Sequence, residues 1–167
     1  MIFDTPPSPG IRPAAVGVHD QSEKEANRQY DSKFKTTIMN STTCKTFTAI
    51  ATIGLIRGYS KQSISLAEFK SALLQAQQEI HEHFNISLSV KVTECEILFL
   101  GQEEPSVELQ FIQYPKFPQE GSVLQKAIVE LIELIMIELD QNRVVIVFND
   151  ETIMLEQSDI IDPNIKL

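Results

Sequence analysis

Cysteine is scarce in this chain, and so is positive charge. Two cysteines in 167 residues cannot build a disulfide framework, which excludes the small stapled scaffolds of secreted proteins. Only 14 Lys and Arg stand against 23 Asp and Glu, for a formal net charge of −9. A nucleic-acid clamp or a binder of anionic membrane needs a basic face, so neither partner is expected. No apolar run reaches the ~20 residues of a membrane-spanning helix, and no apolar signal-peptide core is visible. The expected location is therefore cytoplasmic. A phosphate loop, a nucleophile elbow and a repeat array are all missing, and no motif implies a cofactor.

Hydrophobic residues make up 43 %, enough for a folded core. Charge is unevenly placed. Residues 1–50 hold six basic and five acidic groups, a net of +1, whereas residues 51–167 hold eight and 18, a net of −10. The first stretch carries Pro6, Pro7, Pro9 and Pro13 and then a polar run, which reads as an N-terminal arm over 1–42, partly disordered. A body follows over 43–157, and 158–167 reads as a loose tail.

Within the body, Cys44–Ile56 is rich in Thr, Ile and Phe and predicts a strand. Ser65 and Glu68 form a capping box. It opens a helix with Leu66, Phe69, Leu73, Ala76, Ile80 and Phe84 on one stripe. Ile86, Leu88, Val90 and Val92 alternate with polar residues and predict a half-buried strand. A short apolar piece, Ile97–Leu100, precedes a turn over Gly101–Pro105. Val107, Leu109 and Phe111 mark the next strand. Ser122 and Gln125 can form a second capping box for an apolar helix ending at Asp140. Arg143–Phe148 (RVVIVF) reads as a fully buried strand, with Ile153–Leu155 as a possible edge. The fold class is α+β: two tandem β-α-β units, with two helices on one face of a four-stranded mixed sheet. The other sheet face is apolar or small, and such a face seeks a partner.

Two homes suit this order, the ferredoxin-like fold and the tautomerase superfamily. Residues 96–111 (EILFLGQEEPSVELQF), with Phe99, Gly101, Glu104 and Pro105, resemble the strand–turn–strand segment of the macrophage migration inhibitory factor (MIF)-like tautomerases. Asp140–Phe148 is similar to that family's later helix–strand segment, and the pairing runs without gaps from Ala51 to Asp150. The resemblance implies a homotrimer. It also implies a proline amine as general base. That position falls at Ala51, which contributes only an amide. The family's lysine falls at Glu82, its tyrosine and asparagine at Val145 and Val147, and its substrate-contacting amide at Tyr114. A family Cys-x-x-Cys falls at Ser106 and Leu109.

With no catalytic side chain carried over, the resemblance implies a non-catalytic, trimeric binding or scaffold protein. One alternative is a divergent tautomerase using Lys116, Tyr114 or Glu82 as a relocated base. Another is a ferredoxin-like ligand-sensing domain. Tyr114, Lys116 and Arg57 are the ligand-binding candidates, with Lys116 able to hold a small acidic ligand as a point charge; a protein partner is the other possibility. His81, Glu82 and His83 do not form a metal motif, because positions i and i+2 of a helix point about 200° apart. Glu130, Glu133, Glu138 and Asp140 read as the wet face of a helix, and Cys44 and Cys95 as inert thiols. The arm is expected to cover the vestigial pocket or to lengthen the first strand.

Overall fold

The computed structural model describes residues 39–161 and residue 163. The chain divides into two units, residues 1–41 and 42–167. The part expected of the arm lies outside the described residues. Seven elements fall in the second unit: β1 (Ala49–Gly54), α1 (Leu66–Phe84), β2 (Ser89–Phe99), β3 (Gln102–Ile112), α2 (Gly121–Glu138), β4 (Arg143–Phe148) and β5 (Thr152–Glu156). The strands form one sheet in the order β2-β3-β1-β4-β5.

Local chemistry sets the helix ends. The Ser65 Oγ accepts from the Glu68 amide at 3.1 Å and so starts α1. Asn85, at φ 55°, ends α1 and donates its N–H to the His81 carbonyl. At the end of α2, Asp140 takes φ 54°. The Gln141 amide then reaches the Met136 carbonyl at 2.8 Å and the Asp140 amide reaches Ile137 at 3.4 Å. This is a Schellman ending, and it fixes where Gln141 stands.

Both helices cover one sheet face. Phe69, Leu73 and Ile80 of α1 and Leu131, Ile132 and Ile135 of α2 are buried with Ile53, Leu109 and Ile146 from the sheet. Each large side chain so buried contributes about 1.5–3 kcal/mol. The opposite face is open. It carries Val145 and Val147 at 42 % and 44 % exposure, with Ile112 and Met154 also exposed.

Several expectations need correction. The sheet has five strands, not four, and every neighbouring pair is antiparallel, not mixed. The two parallel strands of each β-α-β unit are kept apart: β3 lies between β1 and β2, and β1 lies between β3 and β4. β4 is buried on one face only, because its alternate residues meet no layer on the open side. Residues Gln102–Pro105 are strand, and the turn is only Leu100–Gly101, where φ is 49° and 80°. The β2–β3 ribbon therefore runs past the rest of the sheet, leaving Leu98 and Leu100 exposed. Ser122 caps nothing: Glu120 holds the N-cap of α2 without a side-chain bond, and Gln125 turns to Glu151. Ser158 and Ile160 of the expected loose tail are hydrogen-bonded to Asn142 and Tyr59.

Candidate functional site

The sheet has two polar ends, and the residues singled out from the sequence are divided between them. Tyr114 and Lys116 lie in the loop after β3, near the start of β1; the Lys116 Nζ sits 5.9 Å from the centroid of the Phe117 ring. Arg57 lies past the other end of β1, paired with Glu68 and donating to the Glu138 carbonyl at 3.1 Å. Six strand residues at about 3.3 Å each separate the two groups, so they cannot hold one small ligand together. Ala51 is fully buried in the core, Glu82 is exposed on α1, and Val145 and Val147 face outward from the open sheet face. His83 pairs with Glu130 at 2.7 Å, and no group of three metal-ligating residues forms among the described residues. Cys95 lies opposite Ser106 in the sheet; partial burial and the nearby Glu108 charge push its thiol pKa up, which disfavours the reactive thiolate.

At the Tyr114 end, a groove of about 580 Å³ is lined by residues including Lys45, Phe47, Gln113, Gln119 and Asn149. Its polar groups are mostly engaged with one another. The Gln113 amide donates to the Lys45 carbonyl and accepts from the Gln119 amide, both at 3.0 Å. Asn149 accepts from the Thr48 amide at 2.5 Å.

The Gly54 end is assembled from segments far apart in sequence. The loop after β1 meets the α2–β4 turn where the Gly58 amide donates to the Asp140 carbonyl at 2.7 Å. Gly58 is at φ 53°, and a Cβ there would stand 2.8 Å from Asp140 Oδ2. The positive φ favours a glycine here, while the Asp140 carboxylate, the end of a flexible side chain, can turn aside. The Tyr59 hydroxyl donates to the Ile160 carbonyl at 2.6 Å and accepts from Asn142 and Arg143 at 2.5 and 3.3 Å. Arg143 is also paired with Glu156.

This framework places three residues that the sequence did not single out as a site. Gly54 ends β1 opposite Ser106 of β3. Glu104, two residues before Ser106, lays its carboxylate over Gly54, where any side chain would overlap it. Gln141, only 6 % exposed, donates from Nε2 to the carbonyls of Ile56 at 2.7 Å and Leu139 at 3.3 Å. Its Oε1 stands 3.2 Å from the place a Gly54 Cβ would occupy. A carboxylate and an amide oxygen thus converge over a bare patch of backbone. Such a pair accepts hydrogen bonds and favours positive charge. The available clue was the glycine itself: within AIATIG it marks a close approach to the backbone.

No protein-family model matches the chain, and no curated protein sequence matches it. Matching solved structures include a phage SAM lyase in complex with S-methyl-5'-thioadenosine and a phage SAM lyase in the apo state. Both give a TM-score of 0.55 over 75 % of this chain, at 14 % and 13 % identity, and are covered over 100 % and 99 % of their own length. Likeness at this identity is one of fold, and the fold is that of the phage SAM lyase. It overturns the resemblance to the MIF-like tautomerases. The non-catalytic MIF-like scaffold falls with it, and neither the relocated-base tautomerase nor the ferredoxin-like sensor fits better. The physical reason is that spacing along the chain matched while strand pairing did not.

Proposed function

We propose that this protein binds S-adenosylmethionine and cleaves it to S-methyl-5'-thioadenosine at the Gly54 end of the sheet. The observation that carries the reading is the Glu104 carboxylate laid over Gly54, in a fold that spans the whole length of a SAM lyase. S-Adenosylmethionine carries a sulfonium and an ammonium, so an exposed carboxylate suits it, and the net −10 of residues 51–167 favours its approach. Cleavage breaks the bond between sulfur and the aminobutyrate chain. The electron pair of that bond moves onto sulfur, which becomes a neutral thioether, while the substrate's own carboxylate forms a new C–O bond to the released carbon, so that the four-carbon part leaves as its lactone and no co-reactant is consumed. Glu104 holds the cationic end of the substrate, so its part is binding and orientation.

The open sheet face is the second part of the proposal. Val145, Val147, Ile112 and Met154 form an exposed apolar surface on one side of the sheet. We assign it to packing against further copies of this chain in a homotrimer. Light scattering on the full chain tests this, and a monomer at working concentration would remove it. The test of the activity is incubation of the full chain with S-adenosylmethionine, followed by chromatography of the nucleosides. S-Methyl-5'-thioadenosine should accumulate with the native chain and not with Glu104→Gln. No product from the native chain would end the proposal.

A further inference from the structure

Gly54 has no backbone reason to be a glycine. A glycine loses more freedom on folding than any other residue and gives a strand no side chain to pack. A positive φ is the usual reason for one, and among the described residues the glycines at positive φ are Gly58 and Gly101. Gly54 closes β1 in regular antiparallel pairing with Ser106, a backbone that alanine also adopts. An added Cβ, however, would overlap Glu104 Oε1 and stand 3.4 Å from Glu104 Cδ.

The pleat of the strand shows what lies there. Ala49, Ala51 and Ile53 face the helices and are buried, so Ile50, Thr52 and Gly54 alternate with them toward the open sheet face. Ile50 and Thr52 are half-buried, whereas Gly54 is buried. Glu104, two residues before Ser106, is on that same face and is itself exposed. The carboxylate of an exposed residue thus lies against buried backbone. Glu104 has an interaction of its own within the protein. An ionised carboxylate offers about four lone-pair sites, so it can accept from a ligand as well.

We infer, resting on the function proposed above, that Gly54 is a positioning residue: its missing side chain sets where the Glu104 carboxylate meets the cationic substrate. The atom that a methyl group would strike is the far end of a flexible side chain. Gly54→Ala therefore turns Glu104 aside and leaves the fold intact. The loss falls on the orientation of the substrate and not on stability.

The test is a double-mutant cycle on the full chain, read as kcat/KM for release of S-methyl-5'-thioadenosine from S-adenosylmethionine. Gly54→Ala should lower it about tenfold or more, with a urea midpoint unchanged or raised. The same substitution in a Glu104→Ala chain, where no carboxylate is left to displace, should change it less than about twofold. Equal losses in the two backgrounds would mean that the methyl group acts on the substrate directly, and would overturn the inference. A lowered midpoint, or native rates in Gly54→Ala, would overturn it too. All three outcomes keep the cleavage reading, because the native chain still cleaves. If the native chain releases no nucleoside, that reading falls, and calorimetry with S-adenosylmethionine judges Gly54 by itself. Tighter binding by the native chain than by Gly54→Ala, with the difference abolished in Glu104→Ala chains, supports the positioning role. Equal affinities, or no binding by the native chain, overturn it.

Discussion

Gln113 and Gln141 sit at opposite ends of the same sheet and are used in different ways. Gln113, beside the large groove, both donates and accepts within the protein. Gln141, at the Gly54 end, donates to two main-chain carbonyls and ties the loop after β1 to the end of α2. The groove offers volume, but its polar groups are largely matched to each other. At the Gly54 end a carboxylate and an amide oxygen converge, held by a turn and a strand end. A binding site is better recognised by rigidly held, converging groups than by empty space.

The sharpest way to break this contrast is to disable each end in turn. Glu104→Gln should lower cleavage of S-adenosylmethionine by about a hundredfold or more, the scale of losing a charge-assisted contact that orients the substrate. Lys116→Ala at the other end should change it less than about twofold, as for an exposed loop side chain. Equal losses in the two variants, read as initial rates of nucleoside release, would erase the distinction.

The next effect concerns the framework. Gly58→Ala places a Cβ against Asp140 at a positive φ and should destabilise the fold by about 1–3 kcal/mol. Urea unfolding measures this, and an unchanged midpoint would show that the turn behind Gln141 is loosely held.

The helix starts give a smaller and opposite pair. Ser65→Ala removes a working cap from α1 and should cost about 1 kcal/mol, whereas Glu120→Ser adds one to α2 and should stabilise by about 0.5–1 kcal/mol. The sign for Glu120 is the informative result in thermal unfolding.

The smallest effect is at Cys95. Its thiol stays protonated to higher pH than an ordinary cysteine because of burial and the Glu108 charge. Its folded pKa is raised, so its contribution to stability is present below the unfolded pKa and is lost as pH rises through the folded value. Glu108→Gln should speed alkylation of Cys95 at mildly alkaline pH. Unchanged rates would mean that burial alone sets its reactivity.

The helices were legible because their signal is local. The stripe from Leu66 to Phe84 and the Ser65 cap are read within one element, and the structure reproduces both. β4 misled because RVVIVF contains no polar alternation, although only every second residue faces the helices. Pairing was illegible: which strand lies beside β1 depends on residues far along the chain, and apolar spacing is equally consistent with the wrong neighbour. The site failed for the same reason. Gly54, Glu104 and Gln141 come from three elements and share no period or motif. Glu104 was noticed only as part of a turn that the structure places in β3.

The position of β1 also governs the order in which the molecule can assemble. Its first residue, Ala49, pairs with Phe111 on one side and Phe148 on the other, and neither partner is reached by a hairpin. Among the described strands, only β2–β3 and β4–β5 are joined by short turns. Those hairpins can form early, while the central strand must wait for two long loops to close. Substitutions in β1 should therefore speed unfolding more than they slow folding, which stopped-flow chevrons can read. The Gly54 site, at the far end of that strand, is then among the last parts of the protein to exist.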